Sequence, residues 1–255
     1  MTRINDLYNE LCRLAPLELQ MDFDNSGFQI GRGDRELHRV LLSLDVTDEV
    51  AAEAAARGAE LIVSHHPLIF TPLNSVTDRD AVQRRVMALI ENRIALISMH
   101  TNLDVAEGGV NDVLIRLLGA EAAEPLDVDG CGRIGCLPAP VPLETFLSIC
   151  NKQLKCRGLR YISAGKAVHK LAVMGGAGGG SLEEAAARGC DTYVTADIKY
   201  HQFQRAGELG INLIDADHFY TENPVILDLT DKLRLRFPDV EFMISAAHDA
   251  CISFA

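Results

Sequence analysis

The chain contains EAAARGAELIVSHH at residues 53–66 and a near copy of it, EAAARGCDTYVTAD, at residues 184–197. In both copies the alanine-rich segment is typical of a helix, and the glycine that follows it is typical of a helix end. The β-branched residues after the glycine are typical of a buried strand. Each copy is followed by a second apolar strand that ends in a histidine with a carboxylate four residues later, in HTNLD (100–104) and HFYTE (218–222). This arrangement predicts a metal site between two related lobes.

Apolar strand patterns alternate with helical patterns along the chain, as in VLLSLDV at residues 40–46. Such alternation predicts an α/β fold in which helices cover parallel strands. Together with the internal repeat, it predicts two related α/β lobes, each a mostly parallel sheet covered by helices. A stretch rich in Gly and Pro places the boundary near residue 125. Residues 1–125, completed by 220–255, form the predicted first lobe, and residues 126–219 form the second.

The composition excludes several classes of function. The chain has 255 residues and a formal net charge of -12, which argues against bulk non-specific binding to nucleic acid or to an anionic membrane. No apolar run predicts a membrane span, and the amphipathic, acid-containing N-terminus does not resemble a secretory signal. The seven cysteines form no Cys-x-x-Cys pair, which argues against a disulfide scaffold and a thiolate zinc ribbon. These features predict a cytoplasmic protein.

Six side chains in or beside the repeat are candidate metal ligands. They are four imidazoles and two carboxylates: His65, His66, His100, His218, Asp104 and Glu222. A histidine doublet or a single His-x-x-x-Asp pair is common on surfaces, but two such pairs at matching points of a repeat favour a metal site. A structural zinc ion needs only four ligands, so six donors indicate two divalent ions per chain. Mixed nitrogen and oxygen donors favour Zn, Mn, Fe, Co or Ni over Mg or Ca.

Five segments together resemble a known family: DNSGFQIG, VSHHPLIF, HTNLDVAEGGVND, VTADIKYHQ and DADHFYTE. In this order they are similar to the dinuclear-metal-centre family of type 2 GTP cyclohydrolase I homologues, over essentially the whole chain. The resemblance implies two α/β lobes and a homohexamer, a trimer of dimers, with di-metal sites facing an internal cavity. It implies the metal ligands His65, His66, Asp104, His218 and Glu222. His100 also matches a family histidine, and the sequence leaves open whether it binds metal or orients a ligand.

Two further residues are candidates for catalysis. In the second copy of the repeat, Ala196-Asp197 replaces the histidine doublet, and His201 follows shortly after. An unperturbed imidazole titrates near neutrality, so His201 could carry protons, while Asp197 could act as an acid or base or contact the substrate. A histidine that merely lies at a helix start explains His201 equally well.

The segment GGAGGGS at residues 175–181 lies between a predicted strand and a predicted helix. It could cradle an anion, although a tight packing turn is the better explanation. Ser181 and Glu184 fit a capping box at the start of the helix.

Two classes of function are compatible with these residues. The first is a metal-dependent hydrolase acting on a nucleotide-like or phosphate-containing substrate, because two ions about 3.5–4 Å apart can activate water and clamp a phosphoryl or carbonyl oxygen. The family resemblance implies ring-opening hydrolysis of GTP, and phosphatase or phosphodiesterase chemistry is equally natural for these ligands. The second is a non-catalytic, ring-shaped metal-binding assembly or a regulatory protein.

Overall fold

The computed structural model describes residues 1–253, with the backbone alone at residues 122 and 123. The helices are α1 (Ile4–Leu14), α2 (Asp48–Ala56), α3 (Ala81–Glu91), α4 (Thr101–Val105), α5 (Val110–Leu117), α6 (Leu143–Leu154), α7 (Leu182–Ala187), α8 (Tyr200–Leu209), α9 (His218–Glu222) and α10 (Pro224–Arg236). The strands are β1 (Gly27–Ile30), β2 (Arg39–Ser43), β3 (Leu61–Ser64), β4 (Ala95–Ser98), β5 (Glu121–Pro125), β6 (Arg133–Val141), β7 (Arg160–Ile162), β8 (Val168–Val173), β9 (Thr192–Thr195), β10 (Asn212–Asp215) and β11 (Glu241–Ile244).

The strands form two sheets. The first has the order β1-β4-β3-β2-β11, and the strands from β4 to β11 are parallel. Its inner strands β3 and β4 are buried at every residue, which explains why their sequences are apolar on both faces. The second sheet has the order β5-β6-β8-β9-β10-β7. The predicted α/β class is therefore confirmed.

The second sheet is mixed rather than mostly parallel. Strands β8, β9 and β10 are parallel to one another, whereas β5, β6 and β7 pair in the antiparallel sense. Strand β6 lies in the stretch rich in Gly and Pro that predicts the boundary between the lobes. Its register with β8 shifts between Cys136 and Val141, where Pro138 and Pro140 lack the N–H that a regular ladder needs. The prolines therefore obscure this strand in the sequence.

The chain divides into two compact units. The first unit consists of Met1–Glu107 and Ile226–Asp249. The second consists of Gly108–Val225 with the C-terminal residues from Ala250. Among the described residues, no helix is long and apolar enough to cross a membrane.

The packing of two helices explains where these units divide. Helix α5 buries Leu114 in the core of the second sheet, so the second unit begins well before residue 125. Helix α9 buries Tyr220 in the same core, so residues 220–225 also belong there rather than with the C-terminal segment. Strand β11, in contrast, pairs with β2 and extends the first sheet.

Helix α2 begins at a regular N-cap, whereas α7 does not begin as predicted. Thr47 accepts a hydrogen bond from the Val50 N–H at 3.2 Å, as expected of an N-cap. The predicted capping box at Ser181 is wrong, because a 3-10 turn over Gly178–Ser181 leads directly into α7. Ser181 therefore lacks the extended backbone of an N-cap, and its Oγ lies 3.9 Å from the Met174 sulfur instead.

Candidate metal centre

Four predicted ligands lie together in the first unit. Because β3 and β4 are parallel, with Ser64 opposite Ser98, the residues that follow them meet at one edge of the sheet. His65, His66 and His100 each offer a ligand atom there, and these atoms lie within 4.8 Å of one another. Asp104 follows on α4, with its Oδ1 3.6 Å from His65 Nε2. This set, which we call the four-donor cluster, could hold a metal ion.

Each imidazole of the four-donor cluster is held through Nδ1 by an oxygen atom at 2.7–2.8 Å. The partners are the Met99 carbonyl for His65, Asp45 for His66 and Asp24 for His100. A carbonyl oxygen or an ionised carboxylate can only accept, so Nδ1 carries the proton in each ring. A neutral imidazole in this tautomer has its lone pair on Nε2, which is the arrangement that metal-binding histidines commonly use.

Asp24 is the most strongly fixed of these partners. Its side chain is fully buried, and its Oδ2 accepts hydrogen bonds from the Thr101 N–H at 3.0 Å, the Thr101 hydroxyl at 2.6 Å and the Ser26 hydroxyl at 2.7 Å. Burial opposes ionisation of Asp24, but the hydrogen bonds from His100, Thr101 and Ser26 outweigh it and hold the pKa well below its ordinary value. The carboxylate that orients His100 is thus ionised and immobile.

The second unit holds a smaller set of donors. Helix α9 begins at His218 just beyond the end of β10, and Glu222 lies one turn later on the same face. His218 Nε2 is 3.0 Å from Glu222 Oε2, and His218 Nδ1 is 2.8 Å from Asp197 Oδ2. Glu222 is buried, whereas Asp197 is half exposed. We call His218 and Glu222 the two-donor pair.

The glycine-rich segment packs directly against the two-donor pair. A Cβ on Gly176 would lie 2.2 Å from Glu222 Oε1 and 3.0 Å from His218 Nε2, and the φ of Gly176 is +64°. Only glycine satisfies both constraints. The Gly176 and Gly178 N–H groups donate to the hydroxyls of Thr221 and Thr195. Because these donors are used internally, the segment is better explained as a packing turn than as an anion cradle.

The two residues predicted to be catalytic differ in their contacts. Asp197 contacts His218, as described above. His201 is exposed in the first turn of α8, and its side chain has no hydrogen bond or ion pair to any residue of the described chain. The role of His201 stays a prediction.

Sequence reasoning missed Asp24 and Asp45 as partners of the histidines. Asp45 lies just beyond the end of β2, at the edge where the carboxyl ends of parallel strands meet, so its position was a usable signal. Asp24 precedes β1, which is antiparallel to β4, with Gly27 opposite Ser98. An antiparallel strand begins at the edge where its partner ends, but the pairing of β1 cannot be deduced from its four residues.

Comparison with known proteins decides the family. The model of the Duf34/NIF3 (NGG1p interacting factor 3) family matches residues 2–250. The chain belongs to this family. The GTP cyclohydrolase 1 type 2 homolog of Clostridium perfringens is 34% identical over 251 residues, covering 95% of this chain and 96% of that protein. The GTP cyclohydrolase 1 type 2 of Helicobacter pylori is 32% identical over 237 residues, covering 91% and 92%.

The fold of this chain is also found in a solved structure. The crystal structure of a Staphylococcus aureus hypothetical protein has a TM-score of 0.92 and 27% identity, and the match covers 99% of both chains. The family resemblance inferred from the five sequence segments is therefore confirmed, and so is the fold class.

Proposed function

We propose that this chain binds two divalent metal ions and acts as a metal-dependent hydrolase on a nucleotide-like or phosphate-containing substrate. The proposed ligands are His65, His66, His100, Asp104, His218 and Glu222. The proposed metals are Zn, Mn, Fe, Co or Ni, because imidazole and carboxylate donors suit them.

One observation carries this proposal: all four histidines are fixed through Nδ1. Three of them are held by the carboxylates Asp24, Asp45 and Asp197, and His65 is held by a backbone carbonyl. A surface histidine needs no such partner. A metal ligand does, because the partner fixes the tautomer, orients the ring and raises its basicity. The same pattern at four rings supports His100 as a ligand rather than as an orienting residue.

Ions held by these ligands would supply Lewis acidity, which polarises a carbonyl or phosphoryl oxygen and acidifies water. Asp197 holds His218 through Nδ1 and is half exposed, which supports a proposed role in accepting a proton from solvent or substrate. His201 is proposed as the proton carrier because it is an exposed imidazole with no competing partner in residues 1–253. The names of the Clostridium and Helicobacter relatives make GTP the first substrate to test.

Metal binding is tested by elemental analysis of protein reconstituted with Zn, Mn or Fe. We expect close to two ions per chain, and fewer in His66→Ala and Glu222→Ala. His38→Ala is the matched control, because His38 is an exposed histidine of the first unit outside the donor sets. Metal contents that are equal in all four proteins would refute the ligand assignment.

Turnover is tested separately with the metal-loaded protein. GTP, other nucleotides and bis(4-nitrophenyl) phosphate are offered in turn, and Asp104→Ala serves as the inactive variant. We expect metal-dependent product from at least one substrate and none from the variant. If metal binds but no product forms, the protein is a metal-binding assembly or regulatory protein and the hydrolase proposal is wrong.

Two further features are proposed from the family resemblance and composition. We propose a homohexamer, which light scattering of the purified protein would test, since a monomeric mass contradicts it. We also propose a cytoplasmic protein, because all seven cysteines lie among the described residues and are free thiols. Fractionation of cells that produce the tagged full chain would test this.

A further inference from the structure

A cavity of about 410 Å³ opens in the first unit, at the far end of β4 from the four-donor cluster. Ile30, at the end of β1, and Ile94, just before β4, form its floor, and Ile90 of α3 forms one side. Strand β4 runs from this cavity toward His100, and its four extended residues alone span about 13 Å. The cavity is large enough for a small organic ligand.

Three guanidinium groups surround this apolar floor. They belong to Arg32, Arg35 and Arg93, and the only carboxylate in the lining that the structure describes is Asp34. None of these three arginines forms an ion pair within residues 1–253. In a chain with a net charge of -12, three arginines without a carboxylate partner around one cavity are an unusual concentration of positive charge.

The walls of the cavity are formed before any ligand binds. Gly31 has a φ of +108°, and a Cβ there would lie 2.7 Å from Ala95 Cβ, so this loop is pressed against β4. The loop is also tied to α1, because the Asn5 N–H donates to the Gly33 carbonyl at 2.8 Å. Arg35 Nη1 donates to the Arg93 carbonyl, which joins the two sides. A preformed site loses little entropy on binding.

We propose that this cavity, which we call the arginine groove, binds a small organic anion with an apolar body and a phosphate or carboxylate head. The isoleucine floor would accept the apolar body, and the exposed guanidinium groups of Arg32 and Arg93 would bind the head group. Arginine suits both head groups because its planar fork of N–H donors matches their oxygen atoms. This site is additional to the metal centre and does not depend on the proposed hydrolase activity.

Calorimetric titration of the full chain tests both halves of the proposal. Octyl phosphate carries the apolar body and the charge, octyl glucoside carries the body alone, and inorganic phosphate carries the charge alone. We expect octyl phosphate to bind at least about tenfold more tightly than either of the others, and its affinity to fall as salt is added. Equal affinities for octyl phosphate and octyl glucoside would overturn the proposal.

Variants then locate the site. The double variant Arg32→Gln/Arg93→Gln removes two exposed guanidinium groups and should weaken the binding of octyl phosphate at least about tenfold. Arg39→Gln is the matched control, because Arg39 is an exposed arginine of the same unit that pairs with Glu241 outside the groove. An equal loss in both proteins would overturn the proposal. A second variant, Ile90→Glu, tests whether the groove is instead a contact between copies of the chain. If this variant changes the mass of the assembly and still binds octyl phosphate, the proposal is also overturned.

Discussion

The two halves of this chain use the same strand positions for different purposes. In the first unit, the residues after β3 are His65 and His66, and both are candidate ligands. The corresponding residues after β9 are Ala196 and Asp197. Ala196 is buried and offers no ligand, and Asp197 holds His218 through Nδ1. The position that supplies a candidate ligand in one copy therefore supplies the partner of a candidate ligand in the other.

The topology around these positions is closely matched. The order β1-β4-β3-β2 in the first sheet corresponds to β7-β10-β9-β8 in the second, with the edge strand antiparallel in both. This correspondence supports a duplication. The sheets differ beyond it, because parallel β11 extends the first and antiparallel β6 and β5 extend the second. The central strands of the two units are therefore alike, and their donor sets differ.

The strongest test makes the first unit resemble the second. The double variant His65→Ala/His66→Asp installs the residues of the second copy, which removes the His65 imidazole from the four-donor cluster and replaces the His66 imidazole with a shorter carboxylate. We expect the affinity for Zn to fall by at least about 100-fold, because loss of a ligand should exceed the 10- to 100-fold cost of losing a ligand's partner. Competition with a chromogenic chelator measures it. An unchanged affinity, with His38→Ala as control, would mean that the doublet is not a ligand pair.

The next test compares the orienting carboxylates of the two units. Asp24→Asn should lower the Zn affinity by about 10- to 100-fold, because an amide orients His100 less well than a buried carboxylate. Asp197→Asn should have the smaller effect, because its carboxylate is 49% exposed and water can replace it. Thermal unfolding of both apo variants separates loss of metal from loss of fold. A larger effect at Asp197 would contradict this ranking.

Local patterns predicted most of the helices and central strands, because those elements combine strong periodicity with clear ends. Strand β2 overlaps the predicted strand pattern VLLSLDV, and the β-branched segment of the first repeat copy forms β3. The antiparallel strands β1, β5 and β7 have no prediction because their sequences, GFQI, EAAEP and RYI, lack the continuous run of large apolar residues that marks the central strands. Strand β6 has none because prolines interrupt it. Sequence spacing also identified the candidate ligands that follow strand ends. Their orienting partners Asp24 and Asp45 depend on pairing between distant strands, which spacing does not encode.

Glu53 and Glu184 occupy the same place in the two EAAARG copies, and they should differ in their effect on stability. Glu53 accepts hydrogen bonds from the Ser245 hydroxyl at 2.5 Å and from the backbone N–H groups of Ala246 and Ala247. Burial opposes ionisation of Glu53, but these bonds and Arg57 lower its pKa from 4.5 to about 2. Glu184 is half exposed and lies 3.9 Å from Arg188.

Glu53→Gln should therefore lower the free energy of unfolding by about 1–2 kcal/mol at pH 7, and Glu184→Gln by less than about 0.5 kcal/mol. The folded pKa of Glu53 is depressed, so its contribution is complete above pH 4.5 and is lost as the pH falls toward 2. The gap between wild type and Glu53→Gln should narrow over that range. Urea unfolding at pH 7 and pH 4 measures the free energy of unfolding of both variants and the wild type. Equal losses of free energy in Glu53→Gln and Glu184→Gln would show that the contact of Glu53 with Ser245 adds nothing.

The smallest effect is expected from the backbone of Asp197. Its φ of +55° lies in the left-handed region, which costs a non-glycine residue about 1 kcal/mol. Asp197→Gly should raise the free energy of unfolding by up to about 1 kcal/mol and lower the Zn affinity, because the partner of His218 is lost. Lys155→Gly is the matched control, with a φ of +59° at the end of α6 and no proposed role at the metal. It should give at least as large a gain in stability, because lysine tolerates the left-handed region less well than aspartate, with unchanged Zn affinity. If both variants gain stability and neither loses affinity, Asp197 is only a turn residue, and the difference between the two strand ends has no bearing on the metal.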